Sequence, residues 1–230
     1  NGVGAVALGL SANATGANAV ALGGGSNGGT NKTEATGTRA TAISFNAKAS
    51  GSDSIALGNA TVASDEKAIA IGSDSKATDV GTTALGRSSA ATGASATALG
   101  SLASATGTLA TAVGMQASAS GNESLAIGTT ASATSGRSLA VGTNSKATGA
   151  TAVAVGSGSG GSGPLGFAGS LNSTAGVVNT NRTVNYATTA EGDNAVALGF
   201  YANAKNSGVA VGQRALAATG GVAIGKGVLE

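Results

Sequence analysis

Three lysines are the most regularly placed side chains in this sequence that could take part in chemistry. Lys48, Lys76 and Lys146 occupy the same position of a repeated segment, each between two small residues. Their ammonium groups could form charge-assisted hydrogen bonds with acidic groups of a macromolecular ligand. The alternative, which we favour, is that these lysines keep an elongated surface soluble.

Catalytic chemistry has few candidate residues. The 230-residue sequence contains no His and no Cys, which excludes His-dependent acid–base catalysis, Ser-His-Asp triads, thiol nucleophiles and thiolate metal sites. The closest groupings of carboxylates are Asp65-Glu66 and Glu191 with Asp193, and both fall at predicted turns. We interpret them as solvated turn residues. The sequence therefore predicts no enzyme activity, no catalytic residue, no metal site and no cofactor.

The composition excludes a thick globular core. Of 230 residues, 40 are Gly and none is Trp, and the hydrophobic share of 41% consists mostly of Ala. Such side chains lack the large aliphatic and aromatic area that dominates the stability of ordinary cores. Charged residues make up only 10% and give a scattered net charge of +2, so neither disorder nor nucleic-acid binding is favoured. The composition therefore favours a structure that is either thin or oligomeric.

The elements that must position these side chains follow from a short repeat. A phrase of the form small–branched–Ala–aliphatic–Gly recurs, and we call its last residue the closing residue. From Ser44, which replaces Gly in one copy, to Gly156 the spacing is 14 residues at every step. Strict periodicity of this length predicts a solenoid. The closing residues are Gly9, Gly23, Ser44, Gly58, Gly72, Gly86, Gly100, Gly114, Gly128, Gly142, Gly156, Gly199, Gly212 and Gly225.

Each phrase predicts a short β-strand with two different faces. Ala stands two residues before the closing residue in every copy, which predicts a row where nothing larger fits; clear members are Ala7, Ala21, Ala56, Ala70, Ala126 and Ala197. Branched residues flank that Ala and alternate with it at period 2. They form a row at a trimer interface or in a core, and clear members are Val6, Leu8, Val20, Leu22, Ile55, Leu57, Ile69, Ile71, Leu125, Ile127, Val196 and Leu198. We favour the Ala row inside and the branched row at an interface.

The second half of each repeat predicts another strand. Ala recurs five residues after the closing residue, beside an outward polar position that holds the three lysines. A following Thr-Gly or Ser-Gly, such as Thr92-Gly93, predicts a turn in which Gly adopts positive φ. Two strands and two turns describe one coil of a parallel β-roll, and fourteen coils spaced by about 4.8 Å would extend roughly 65 Å. An exposed aliphatic strip of that length predicts self-association.

These repeats resemble a known family. The phrases Asn194-Ala195-Val196-Ala197-Leu198-Gly199 and Ser124-Leu125-Ala126-Ile127-Gly128 are similar to the YadA-like head of trimeric autotransporter adhesins. The resemblance implies an all-β fold, a left-handed parallel β-roll of 14-residue coils, assembled as a homotrimer on a Gram-negative outer membrane. It also implies a stalk and a C-terminal membrane-anchoring region beyond this sequence. Family heads bind host extracellular-matrix proteins of the collagen, fibronectin or laminin class, or cell-surface receptors.

Two departures from the repeat define the predicted organisation. Head repeats occupy residues 1–156 with a short Gly-rich insertion at 24–30, an insertion occupies 157–190, and repeats with a period of 13 continue over 191–230. Insertions in a regular scaffold often carry function. Phe167, Arg182 and Tyr186 therefore join the three lysines as a candidate ligand surface. The alternative that the longer insertion only packs over a neighbouring subunit stays open.

The leading hypothesis is an adhesin head that binds a host surface by many weak, non-catalytic contacts. A second hypothesis is a structural spacer that displays another adhesive domain. A third is a solenoid that binds ice through a flat Thr array, but Thr-x-Thr occurs only at Thr36/Thr38 and Thr106/Thr108 and does not repeat from coil to coil. We rank it below the first two hypotheses.

Overall fold

The described part of the chain is a parallel β-solenoid of about 13 turns. The computed structural model describes residues 2–25, 31–158 and 187–227. The parallel solenoid predicted from the repeat is therefore confirmed. These residues contain no helix, and hence no helix that could cross a membrane.

Each coil contributes one strand to each of two sheets. The first sheet has fourteen strands of three residues, β1 (Val6–Leu8), β3 (Val20–Leu22), β5 (Thr41–Ile43), β7 (Ile55–Leu57), β9 (Ile69–Ile71), β11 (Thr83–Leu85), β13 (Thr97–Leu99), β15 (Thr111–Val113), β17 (Leu125–Ile127), β19 (Leu139–Val141), β21 (Val153–Val155), β23 (Val196–Leu198), β25 (Val209–Val211) and β27 (Val222–Ile224). The second sheet has thirteen strands of two residues, β2 (Asn13–Ala14), β4 (Glu34–Ala35), β6 (Lys48–Ala49), β8 (Val62–Ala63), β10 (Lys76–Ala77), β12 (Ala90–Ala91), β14 (Ser104–Ala105), β16 (Ser118–Ala119), β18 (Ser132–Ala133), β20 (Lys146–Ala147), β22 (Thr189–Ala190), β24 (Asn203–Ala204) and β26 (Leu216–Ala217).

The register of both sheets follows the repeat. Each strand pairs in parallel with its equivalent in the next coil, so that Ala84 lies opposite Ala98 in the first sheet and Ala77 opposite Ala91 in the second. A parallel strand normally needs a crossover of a dozen or more residues, and one circuit of this roll supplies it. Identical residue types therefore stack in columns along the roll.

The interior is built almost wholly from Ala. Beyond β1, the inward Ala residues of both sheets are buried, and the largest fully buried side chains are Thr and Ser, as at Thr61 and Ser54. The opposing backbones consequently approach as closely as methyl groups allow. Five of the six residues of the predicted small row are fully buried, whereas Ala7 is only half-buried because β1 is an edge strand of the first sheet.

Two tight turns connect the strands of each coil. The first turn follows the three-residue strand, as in Gly100–Ala103, and the second follows the two-residue strand, as in Gly107–Ala110; each is closed by a hydrogen bond from its fourth residue to its first. The third residue of each has positive φ, 60° at Leu102 and 58° at Leu109. Such a conformation is uncommon for residues other than Gly.

The turn glycines do not all act as predicted. The closing Gly86 has φ of 136°, and a Cβ there would lie 2.5 Å from the carbonyl oxygen of Gly100. Gly93 and Gly107 of the second turn do not have positive φ, which corrects the expectation for the Thr-Gly turns. A Cβ at Gly107 would collide with the carbonyl oxygen of Gly121 in the next coil, so a larger residue there requires the adjacent turn to shift. Other coils hold Asp65, Asp79 or Ser135 at this position.

Both interruptions of the repeat begin at a first turn. After each of them, a buried Thr hydroxyl donates a hydrogen bond to a backbone carbonyl where the chain rejoins the roll. After the shorter one, Thr33 is fully buried and its hydroxyl donates to the carbonyl oxygens of Ser44 (2.6 Å) and Gly24 (3.0 Å). After the longer one, Thr188 donates to the carbonyl oxygens of Gly199 (2.6 Å) and Ser157 (3.4 Å). The strand β22 then pairs with β20 and β24, so Thr189–Ala190, at the end of the predicted insertion, is part of a coil.

Removal of this hydroxyl should weaken the roll where the chain returns. We expect Thr188→Val, which keeps the shape of the side chain, to lower the free energy of unfolding by about 1–2 kcal/mol, because the carbonyl of Gly199 loses its shortest hydrogen bond and keeps only the longer one from the N–H of Ala202. Urea unfolding followed by circular dichroism measures the effect. The matched control is Thr134→Val at an exposed position, which should change stability by less than about 0.5 kcal/mol. Equal effects of both substitutions would contradict the role of Thr188.

Candidate functional site

The outward side of the first sheet is an apolar surface, which we call the apolar face. Its strand positions hold only Val, Ile, Leu and Thr from β1 to β27. In the middle of the stack, where coils cover each other above and below, Ile55, Leu57, Leu85 and Ile127 still expose 37–41% of their area. Soluble monomers rarely expose an apolar patch that extends along a whole sheet. The apolar face is therefore a candidate interface.

All twelve residues of the predicted branched row lie on the apolar face and none is buried inside the roll. Val6, Leu8, Ile55, Leu57 and Ile127 are exposed. The remaining members are half-buried, namely Val20, Leu22, Ile69, Ile71, Leu125, Val196 and Leu198. The possibility that this row forms the core of a single roll is therefore wrong, because the inward position holds Ala. Its role in a trimer interface stays a prediction.

The three predicted lysines lie on the outward side of the second sheet. Lys48, Lys76 and Lys146 share one column, and Val62 separates the first two. Lys48 also stands beside Glu34, which reduces the local positive charge. Two coils separate Lys48 from Lys76 by roughly 10 Å, and Lys146 lies five coils further along. The structure therefore does not bring the three ammonium groups into one binding site.

A column of hydroxyl groups runs beside these lysines and was missed by the search for Thr-x-Thr. It occupies the position eight residues before the next closing residue, on the edge of the second sheet, and all but one of its members are exposed. The residue type changes between Ser and Thr, which hides the column from a single-residue pattern. Its members are Thr15, Thr36, Ser50, Ser64, Thr78, Thr92, Thr106, Ser120, Thr134 and Thr148.

Charged residues at the second turns form a short ladder. The guanidinium of Arg39 donates to both carboxylate oxygens of Asp53 at 2.6 Å, and Lys67 lies one coil further on. The hydrogen bond from Arg39 lowers the pKa of Asp53, and burial opposes this effect only in part. The hydrogen bond to Asp53 likewise raises the pKa of Arg39, and the Glu66 carboxylate raises the pKa of Lys67.

The carboxylates of the two predicted groupings form hydrogen bonds and ion pairs at the surface. An oxygen of Asp65 accepts from the backbone N–H of Glu66 at 2.8 Å, and Glu66 pairs with Lys67 at 2.8 Å. Glu191 pairs with Lys205 of the next coil, and Asp193 accepts from the backbone N–H of Ala150 at 2.9 Å. Within the described ranges no three His, Cys, Asp or Glu side chains come together where they could hold a metal ion.

The lowered pKa of Asp53 predicts a small pH-dependent stabilisation. A folded-state pKa below the unfolded one means that the stabilisation is complete above the unfolded pKa and is lost as the pH falls through the folded pKa. Both charges are exposed, so the effect is small. We expect the wild type to melt slightly above Asp53→Asn at neutral pH and low salt, and the difference to vanish in acid. A difference that persists below both pKa values would contradict this assignment.

The other predicted ligand residues, Phe167, Arg182 and Tyr186, lie outside the described residues. The aromatic residues within those ranges, Phe45, Phe200 and Tyr201, all belong to first turns. Phe200 and Tyr201 have ring centroids 3.9 Å apart with a tilt of 47°.

Comparison with protein families agrees with the repeat. A family model described as the YadA head domain repeat matches residues 1–26, 35–61, 49–75, 63–89, 77–103, 105–131, 133–159, 186–202 and 190–215. Together these matches cover well over half of the chain. A comparison with curated proteins gave no match.

Proposed function

The chain belongs to the YadA head domain family, and from this premise we propose that it is the head of a trimeric autotransporter adhesin. In this role it attaches a Gram-negative bacterium to host cells or to extracellular-matrix proteins of the collagen, fibronectin or laminin class. The contact is non-catalytic. The head is displayed at the outer membrane through a stalk and an anchoring region elsewhere in the protein.

The apolar face is the observation that carries this proposal. A continuous outward row of Val, Ile and Leu, with residues such as Leu57 about two-fifths exposed in mid-stack, is stable in water only when another surface covers it. Three identical left-handed rolls placed side by side cover one another in this way. The stacking is in register along each roll, so every coil meets an equivalent coil of its neighbours.

Adhesion then follows from repetition rather than from one deep pocket. The outward side of the second sheet and the two edges of turns are the surfaces that a trimer leaves accessible. Three chains present every surface element three times, and a cell displays many heads. Avidity from such multiple contacts can exceed the affinity of one contact by about 10²–10⁴.

The insertion predicted at residues 157–190 is part of this proposal. The roll resumes beyond it with unbroken register, because β21 pairs with β23 and Ala154 lies opposite Ala197. A scaffold that tolerates an insertion at a first turn can display binding residues there without loss of the fold. Lys48, Lys76 and Lys146 contribute positive charge on a separate face.

A spacer is the second candidate function, and the uninterrupted hydrogen-bonded ladder favours it. The turns continue the ladder between coils, as in the bonds from the N–H of Leu102 to Arg87 and of Leu109 to Ala94, each 2.9 Å. A roll bonded in this way is stiff enough to raise another domain above the cell surface. Ice binding is the third candidate, and the regular hydroxyl column is the feature that supports it. A thermal-hysteresis assay tests this candidate.

Two measurements test the adhesin proposal. Light scattering should give the mass of three chains of 21.0 kDa each, and a mass of one chain would contradict the trimer. Surface plasmon resonance with immobilised collagens, fibronectin and laminin should give saturable binding. Trimeric head that binds none of these matrix proteins would leave the spacer as the function.

A further inference from the structure

The first turns that follow β23, β25 and β27 carry a surface unlike the rest of the described roll. Phe200, Tyr201, Gln213, Arg214 and Lys226 lie on three successive coils, and we call this group the aromatic patch. The backbone N–H of Arg214 donates to the carbonyl of Phe200 at 2.9 Å, and that of Gly227 to the carbonyl of Gln213 at 2.8 Å. These bonds align the three turns, so the five side chains share one edge of the roll.

The patch combines apolar area with positive charge. Phe200 exposes 39% of its area, Tyr201 is half-buried beside it, and Gln213, Arg214 and Lys226 are exposed. Residues 199–202, 212–215 and 225–227 contain no Asp or Glu. Among the described residues no carboxylate forms an ion pair with Arg214 or Lys226, whereas Arg39, Lys67 and Lys205 each have one.

The middle of the same edge differs in two respects. There Arg87 has the exposed Leu102 on the next coil, but the turn of the preceding coil holds the carboxylate of Asp74. Leu102 and Met115 supply exposed aliphatic area, and the turns at 72–75, 86–89, 100–103 and 114–117 contain no aromatic residue. In a chain with only 2% aromatic residues, two adjacent rings beside two cations mark this part of the edge as distinct.

We infer that the aromatic patch is a binding site for an acidic peptide segment of a partner protein. The inference deepens the proposed adhesive function, on which it rests. Tyr and Arg are enriched among the residues that dominate protein–protein binding energy, where aromatic rings supply rigid apolar contact. The planar guanidinium of Arg214 binds a carboxylate through two parallel hydrogen bonds.

The balance of apolar and charged groups favours a peptide over an anionic polysaccharide. A long anionic chain is bound mainly through many cations along its path, and the aromatic patch offers two. An acidic peptide with intervening apolar side chains can use the rings and the cations together. Gln213 adds an amide that can donate and accept hydrogen bonds with a peptide backbone.

A labelled peptide of alternating Asp and Tyr residues tests the inference by fluorescence anisotropy with the intact trimeric head. Phe200→Ala and Arg214→Ala should each weaken binding about tenfold, the size of effect that one dominant contact produces. The matched controls are Met115→Ala and Arg87→Ala, one apolar and one cationic residue on the same edge, which should leave affinity unchanged. Thermal melts accompany each variant.

The outcomes separate this inference from the adhesin proposal. Equal losses in patch and control variants, stronger binding of a heparin oligosaccharide than of the peptide, or a lowered melting temperature without loss of affinity would each overturn the patch assignment. If the wild type binds matrix proteins and the patch variants bind them equally well, the patch is wrong while the adhesin stands. If the peptide binds at the patch but no matrix protein binds the head, the adhesin proposal fails.

Discussion

A carboxylate in the middle of the apolar face should convert the trimer into single chains. Leu125 lies on β17 with Thr111 and Leu139 opposite it in the neighbouring strands. In the proposed trimer Leu125→Asp would place three carboxylates in an apolar interface without partners. An uncompensated buried charge costs about 3–5 kcal/mol, and the three copies also repel one another. We expect the mass measured by light scattering to fall from three chains to one.

The control for this substitution lies on the opposite side of the same coil. Ser132→Asp introduces the same charge at an outward, half-buried position of β18. It should leave the mass of three chains unchanged. Circular dichroism should show the β-roll in both variants, since Leu125 does not contribute to the Ala interior. A mass of three chains for Leu125→Asp would show that the apolar face is not the contact.

The monomeric variant also tests the source of adhesion. If binding depends on many weak contacts, single chains should bind immobilised matrix proteins about 10²-fold more weakly or worse. The comparison uses equal concentrations of chains, so that only the linkage between them differs. Unchanged apparent affinity would indicate one independent site per chain rather than avidity.

Enlarging a single inward Ala should disrupt the roll more than any surface change. Ala91 in β12 is fully buried, whereas Ala90, its neighbour in the same strand, points outward and is half-buried. Ala91→Leu adds three carbon atoms where the opposite wall is another row of Ala. Overpacking of ordinary cores costs about 1–3 kcal/mol, occasionally more, and here a loss of about 3 kcal/mol or more is expected because the facing backbones cannot separate without breaking both ladders.

Ala90→Leu is the matched control for this experiment. It makes the same chemical change on the solvent side of the strand and should alter stability by no more than about 0.5 kcal/mol. Urea unfolding of both variants measures the difference. Because solenoid coils contact only their neighbours, a damaged coil should also reduce cooperativity and divide the transition. Equal midpoints and slopes for the two variants would show that the interior is not tightly packed.

Much of the fold could be predicted because the spacing and the residue types of the repeat specify the strands and their stacking. Closing residues 14 apart, such as Gly86 and Gly100, can stack only in register, and the invariant Ala between branched residues predicts a strand with a narrow face. The surfaces could be predicted less well. Lys48, Lys76 and Lys146 share a sequence position, yet intervening coils keep them apart. The hydroxyl column and the aromatic patch join residues that are distant in sequence and unlike in type.

By itself, the sequence determined the period, the strands and the order of the coils, because a strict repeat places equivalent hydrogen-bonding groups one coil apart. Only the tertiary structure decided which side of each strand is the interior, since period 2 is the same whichever face points inward. It also showed that the obstacle to a side chain at Gly107 is the carbonyl of Gly121 in the next coil rather than the turn itself. The same holds for Thr33 and Thr188, whose carbonyl partners come into reach only when the coils close on each other.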